Sequence, residues 1–194
     1  MSSRARRALQ PVAPRPEPPP RSDRVNQIVA AARQLVETEG AEALTMRRLG
    51  DELGIKAPSL YKHLPGREGV VARLVDETLF ESGDRMHAAV SEPAADVAGG
   101  PIQALLAAYR GFGRKHPNLY RLVTTGNLPR SALTAGLEDW AGEPFYRATG
   151  DPYRAQALWA FAHGTLILEI DARFLPGSDV DRTWEAGARA FAQG

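Results

Sequence analysis

Apolar residues recur along this chain at intervals of three and four, the spacing that lines one face of a helix. Val25, Ile28, Val29, Ala32, Leu35 and Val36 form a first stripe, with Asp23 as the expected cap and Gly40 as the stop. Thr45 then offers a hydroxyl cap to a short helix carrying Leu49 and Leu53, and Gly54 ends it. Pro58 stands where a second short helix begins, its missing N–H harmless in the first turn. Leu60 and Leu64 take that helix's inner face, leaving Ser59, Tyr61, Lys62 and His63 to project elsewhere. After the turn Pro65-Gly66, a long helix is expected from about Arg67 to Val90. Val70, Val71, Leu74, Val75 and Leu79 line its first half, while Phe80, Met86 and Val90 suit a different domain.

The second half continues the pattern. Ser91 to Gly100 reads as a loop, and Pro101 opens a helix with Ile102, Leu105, Leu106, Tyr109 and Phe112. Asn118 is the expected cap of a short helix carrying Leu119, Tyr120, Leu122 and Val123. Pro129 to Thr149 reads as an interrupted helix, with Gly142 and Pro144 marking a break or kink. Pro152 to about Phe174 is apolar on nearly all sides, so one face needs cover beyond the helix's own core. A last helix spans about Asp179 to Ala192. These last two helices, through Phe161, Leu168, Trp184 and Phe191, are the candidate dimer interface, an antiparallel four-helix arrangement about a two-fold axis.

Composition narrows the class. With 194 residues and 43% hydrophobic positions a real core can form, and with no Cys it owes nothing to disulfides or thiolate metal sites. No stretch of about 18 apolar residues predicts a membrane span, and the N-terminus lacks the apolar segment of a signal peptide. A soluble cytoplasmic protein is expected. The net charge of +1 hides an asymmetry: residues 1–75 hold 13 Lys+Arg against 8 Asp+Glu, and residues 76–194 hold 11 against 15. A basic front and an acidic remainder suit a nucleic-acid reader joined to a part that need not touch phosphate. Residues 1–22 are rich in Pro and carry five arginines, the composition of a disordered arm. Such an arm could reach into a minor groove or serve only as a solubilising tail.

Two short helices joined by a tight Gly turn are a helix-turn-helix, whose second helix enters the major groove. Leu44 to Leu64 and its flank add Arg47, Arg48, Lys56, Lys62 and Arg67, five cations against Asp51, Glu52 and Glu68. From about Arg24 to Leu79, through EGAEALTMRRLGDELGI and APSLYKHLPGREGVVARLVDETL, the chain resembles the tetracycline-repressor (TetR) family of bacterial regulators. HPNLYRLV at 116–123 and ALWAFAHGTLILE at 157–169 bear a looser resemblance to a branch of it. The resemblance implies a dimer that a small ligand releases from its operator. It also implies that Arg47, Ala57, Pro58, Ser59, Tyr61, Lys62, His63 and Arg67 face DNA, and with the capping Thr45 they make up the expected DNA-binding surface. Relatives often carry a base-reading polar residue at the position of Ala57, so direct readout is not expected there.

The expected architecture is all-α: an arm at 1–22, a three-helix helix-turn-helix domain at 23–68, and a helical ligand-binding and dimerisation domain at 69–194. His63, His87, His116 and His163 show no metal-ligand spacing, and nucleophile-elbow, P-loop and dinucleotide motifs are missing, so neither an enzyme, a metal nor a cofactor is expected. Met86, Tyr109, Phe112, Trp140, Phe145, Trp159 and His163 are the candidate lining of an apolar ligand pocket, or else plain core. The resulting expectation is a cytoplasmic homodimeric repressor of a palindromic double-stranded DNA operator, released by a small hydrophobic or amphipathic molecule. The alternatives are a DNA-binding protein without a ligand, and a helical carrier or enzyme.

Overall fold

The structure is a computed structural model that describes residues 14–91, 100–125 and 130–193, and every regular element among them is helical. The α-helices are α1 (Asp23–Glu39), α2 (Met46–Glu52), α3 (Ala57–Leu60), α4 (Gly66–Ser91), α5 (Gly100–Lys115), α6 (Pro117–Thr124), α7 (Leu137–Thr149), α8 (Pro152–Ile170) and α9 (Val180–Ala192). Single 3-10 turns occur at Ala41–Ala43 and Arg130–Ala132. No helix among the described residues is long and apolar enough to cross a membrane. The expected loop at 91–100 lies outside the described residues at 92–99, as do Pro129 and residues 1–13 of the arm.

The chain divides into two compact units. The first comprises Pro16–Phe80 and His116–Leu137. Its core joins Ile28, Val29, Ala32, Leu35 and Val36 of α1 to Leu49 of α2, Leu60 of α3, Val70 and Leu74 of α4, and Leu119 of α6. The segments expected from sequence follow chain order, whereas this unit does not, because α6 returns to it. Two polar contacts hold α6 there: His116 Nδ1 lies 2.8 Å from Glu37 Oε1, and the Asn118 amide donates to Glu37 O at 3.0 Å. Asn118 was the expected cap of α6, but His116 holds that position and makes no side-chain cap bond. Likewise Ser22, not Asp23, caps α1, its Oγ accepting from Val25 N at 3.3 Å. The described end of the arm is engaged, since Arg21 pairs with Glu77 at 2.6 Å. Buried Asp76 holds the segment after the second 3-10 turn, accepting from Thr134 N at 2.9 Å and Thr134 Oγ1 at 3.0 Å.

The second unit takes the described residues of Met1–Arg15, Glu81–Lys115 and Glu138–Gly194. Helices α5, α8 and α9 pack on one another. Glu169 of α8 ties the three together, accepting from Arg110 of α5 at 2.7 and 2.9 Å and from the Trp184 indole of α9 at 2.9 Å. Burial by itself would raise the Glu169 carboxyl; the bonds from Arg110 and Trp184, with the Arg110 and Arg114 charges, overcome it and hold the group below its ordinary value. The break expected at Gly142 and Pro144 is not found. Helix α7 runs through Pro144, and the carbonyl its missing N–H would have met, that of Trp140, lies 2.9 Å from His87 Nε2. Helix α8 stops at Ile170, short of the expected Phe174, with Ala172 in the left-handed region at φ 52°.

Candidate nucleic-acid interface

Thr45 caps α2 as its hydroxyl suggests, Oγ1 accepting from Arg48 N at 3.1 Å. Gly54, at φ +65°, turns the chain toward α3, and Ile55 N closes the turn onto Gly50 O at 2.9 Å. Gly50 itself is where the two helices nearly touch. A Cβ there would lie 2.7 Å from Ile55 O and 3.3 Å from Ala57 N, so the crossing requires glycine. Met46, Leu49 and Gly50 of α2, Leu60 of α3 and Leu64 are buried beneath, which leaves Arg47, Pro58, Tyr61, Lys62 and His63 facing outward.

The outward face separates the five cations into two groups. Arg48 is held by two carboxylates at 2.8 Å, Glu39 and Glu52, which raise its already high pKa through those bonds. Arg67 donates Nε to Leu44 O at 2.7 Å and Nη2 to Ala41 O at 2.9 Å. Its guanidinium therefore fixes the turn before α2, where the resemblance implied a DNA contact. Arg47, Lys56 and Lys62 are exposed and make no ion pair or hydrogen bond among the described residues. Tyr61 is 58% exposed, a large aromatic residue in water, and His63 and Pro58 are exposed beside it. Ala57 and Ser59 are half-buried. Thr45 is exposed, with its hydroxyl committed to the cap. The arrangement offers three exposed cations, a phenol and an imidazole on one short helical pair and its flanks, the functional groups that bond phosphate oxygens and base edges. Sequence reasoning counted Lys56 as a charge without placing it in the contact set, and it passed over Gly50. A small residue between two short helices was the available signal for Gly50.

All seven candidate pocket residues fall in the second unit. Met86, Tyr109, Phe112, Trp140 and Phe145 are buried, with Tyr109 and Phe145 in edge-to-face contact at 5.6 Å. Trp159 is not with them. It is 48% exposed and stacks on half-buried His163 at 5.8 Å, and burial lowers the His163 pKa. The inner face of α8 is Leu158, Ala162 and Leu166, all fully buried, and Trp159 lies one residue round from it. Of the candidate dimer residues, Leu168 is exposed, while Phe161 and Phe191 are half-buried. Trp184 is buried within its own chain, edge-on to Phe161 at 5.9 Å, which removes it from the outward seam expected for it. Gly187 admits that packing, since any Cβ there would collide with the Phe161 ring.

The sequence profile described as bacterial regulatory proteins of the tetR family matches residues 28–74, which include α2 and α3. The profile of the tetracyclin repressor-like C-terminal domain matches residues 102–191. An uncharacterized HTH-type transcriptional regulator of Mycobacterium tuberculosis is 29% identical over 160 residues, 74% of this chain and 68% of that protein. The HTH-type transcriptional repressor DrrR1 of Streptomyces coeruleorubidus is 33% identical over 118 residues, 59% of this chain, which spans only 40% of the repressor. A crystallised transcriptional regulator of the TetR/AcrR family from Thermobifida fusca superposes with a TM-score of 0.63 at 20% identity, over 89% of this chain and 98% of that one. Together the two profiles span more than half of the chain: it belongs to the tetR family of bacterial regulatory proteins and is a DNA-binding transcriptional regulator, not an enzyme.

Proposed function

We propose that the protein is a cytoplasmic homodimeric repressor that reads a palindromic operator through Arg47, Lys56, Tyr61, Lys62 and His63 and is released by a small apolar or amphipathic molecule. The observation that carries DNA reading is the exposed, unpaired set of cations on α2, α3 and their flanks, above a buried Leu49–Leu60–Leu64 layer. Thr45, Ala57, Pro58 and Ser59 shape that surface, and Arg67 supports it from behind through the 41–44 carbonyls. A repressor role is supported by the similarity to DrrR1. Dimerisation is supported by α8, where Ala157, Ala160 and Leu168 are exposed on one face and Gly164 has open space beside its Cα. Small residues with one large apolar neighbour let a second helix approach closely. Ligand response is the third part of the reading. It rests on the buried aromatic set Tyr109, Phe112, Trp140 and Phe145, whose rearrangement would have to favour one state of the dimer over another.

The test is to sequence the genomic DNA fragments that the purified full-length protein retains. Enriched palindromes with half-sites about one helical turn, or a multiple of it, apart are expected. Retention of fragments without a shared two-fold motif would overturn the operator reading.

A further inference from the structure

Glu143, on α7 in the second unit, has a side chain only 11% exposed, and its Oε2 is buried without a hydrogen-bond partner. Facing it across 3.5 Å is Nδ1 of His87 on α4. The other ring nitrogen of His87 is committed. Nε2 lies 2.9 Å from the Trp140 carbonyl, and a carbonyl only accepts, so Nε2 carries a hydrogen. Pro144, four residues on, has no N–H to give the Trp140 carbonyl, and His87 supplies a donor from another helix. The imidazole plane is also held by its stack on the Trp140 ring, at 4.6 Å and 16° between planes.

A neutral His87 in this setting turns a bare lone pair toward Glu143. With the carboxylate ionised, two acceptors then face each other in a largely buried seam, an arrangement that costs desolvation without a bond in return. A single proton removes the conflict. Placed on Nδ1 it makes an ion pair, and placed on the carboxyl it makes O–H donate to Nδ1.

We propose that His87 and Glu143 hold one proton between them, making the α4–α7 seam of this unit a pH-responsive joint that loosens when alkaline pH removes the proton. Other charged and ring groups line the same seam. On α7, Arg147 has its Nε 3.9 Å from Glu143 Oε1 and sends Nη1 to Ser91 Oγ of α4 at 3.1 Å. On α4, Asp84 is matched by Arg15, whose guanidinium lies 5.4 Å over the Trp140 ring. From α5, Tyr109 packs edge-on against Phe145. Burial raises the Glu143 carboxyl against the opposing pull of the His87 and Arg147 charges. A carboxyl raised by burial binds its proton more tightly in the folded chain than in the unfolded one, so the stability it contributes declines as pH rises through its folded value.

The experiment compares the melting temperature of the full-length protein with that of Glu143→Gln from about pH 5 to about pH 8.5. The amide of the variant can donate to the bare Nδ1, so its alkaline loss should be smaller than that of the parent by roughly 2–4 °C. Parallel curves for the two proteins would overturn the proposal. Nitrogen-15 correlation spectra of the parent protein supply a second readout, independent of how the variant folds. His87 should appear as the Nε2–H tautomer at alkaline pH. An Nδ1–H tautomer there would mean that a neutral His87 already bonds Glu143, and the proposal fails.

Discussion

Pro144 deprives the Trp140 carbonyl of its helical donor, and His87 of a different helix replaces it at 2.9 Å. The bond lets α7 continue where its sequence signals an end. His87→Ala should cost about 1–3 kcal/mol, because the Trp140 carbonyl loses this donor. Pro144→Ala returns an N–H to α7, and in that background the His87→Ala loss should shrink by about 1 kcal/mol. Urea denaturation of the four proteins measures the coupling. A loss of equal size in both backgrounds would mean that the carbonyl does not need His87.

Lys62 and Arg67 are adjacent cations in the sequence pattern with different work. Lys62→Ala should weaken operator binding and flatten the dependence of log affinity on log salt by roughly one unit, the share of one phosphate contact. Arg67→Ala should lower the melting temperature, since it frees the Leu44 and Ala41 carbonyls. Binding titrations across salt concentrations, beside thermal melts, distinguish the two roles.

Gly50→Ala places a methyl group 2.7 Å from a backbone oxygen that no rotamer can move. The expected loss is about 1–3 kcal/mol of stability, the range for overpacking. Gly111→Ala, at an exposed helical glycine with open space beside it, is the matched control. Equal stabilities for the two variants would remove the close α2–α3 crossing as a constraint.

Leu168 and Trp184 should respond oppositely. Leu168→Glu puts a charge on an exposed face and should shift a dimer toward monomer in light scattering while the chain keeps its helical content. Trp184→Ala should cost about 3–5 kcal/mol of fold stability, as expected for truncating a buried aromatic. A Leu168→Glu protein that still scatters as a dimer would place the seam away from this face.

Glu169 links stability to acid. Its carboxyl is held below the ordinary value, so its contribution is present above that value and is lost as pH falls through the depressed one. Glu169→Gln should therefore flatten the acid side of the melting curve between about pH 7 and about pH 3.

What the sequence made legible was local. The Thr45 cap, the Gly54 turn, the Pro58 start and the α1 stripe each depend on residues within a turn or two, and each is found where the spacing puts it. Long-range partners were not legible. Arg48 meets Glu39 nine residues away, and Arg67 meets a carbonyl 23 residues upstream, so a count of cations could not separate free charges from engaged ones. Face assignment failed where apolar residues surround a helix. In α8 periodicity could not decide between Leu158 and Trp159, and only packing resolves it. The family likeness supplied the list of DNA-facing positions; at Arg67 the structure adds bonds to the Leu44 and Ala41 carbonyls that the list did not include.

The return of α6 bears on how such a protein can be taken apart. Leu119 belongs to the same hydrophobic cluster as Leu35 and Leu49, although some seventy residues of chain intervene between it and Leu49. A fragment cut at residue 68 would leave that cluster with a hole where Leu119 and its helix had been, and would strand Glu37 without His116 or Asn118. Chimeras that exchange the sensing half of one regulator for another must then keep residues 116–137 with the host, or supply a donor segment that fits the same gap. The reader and its exchangeable part are separated by a contour through the fold, not by a point along the chain.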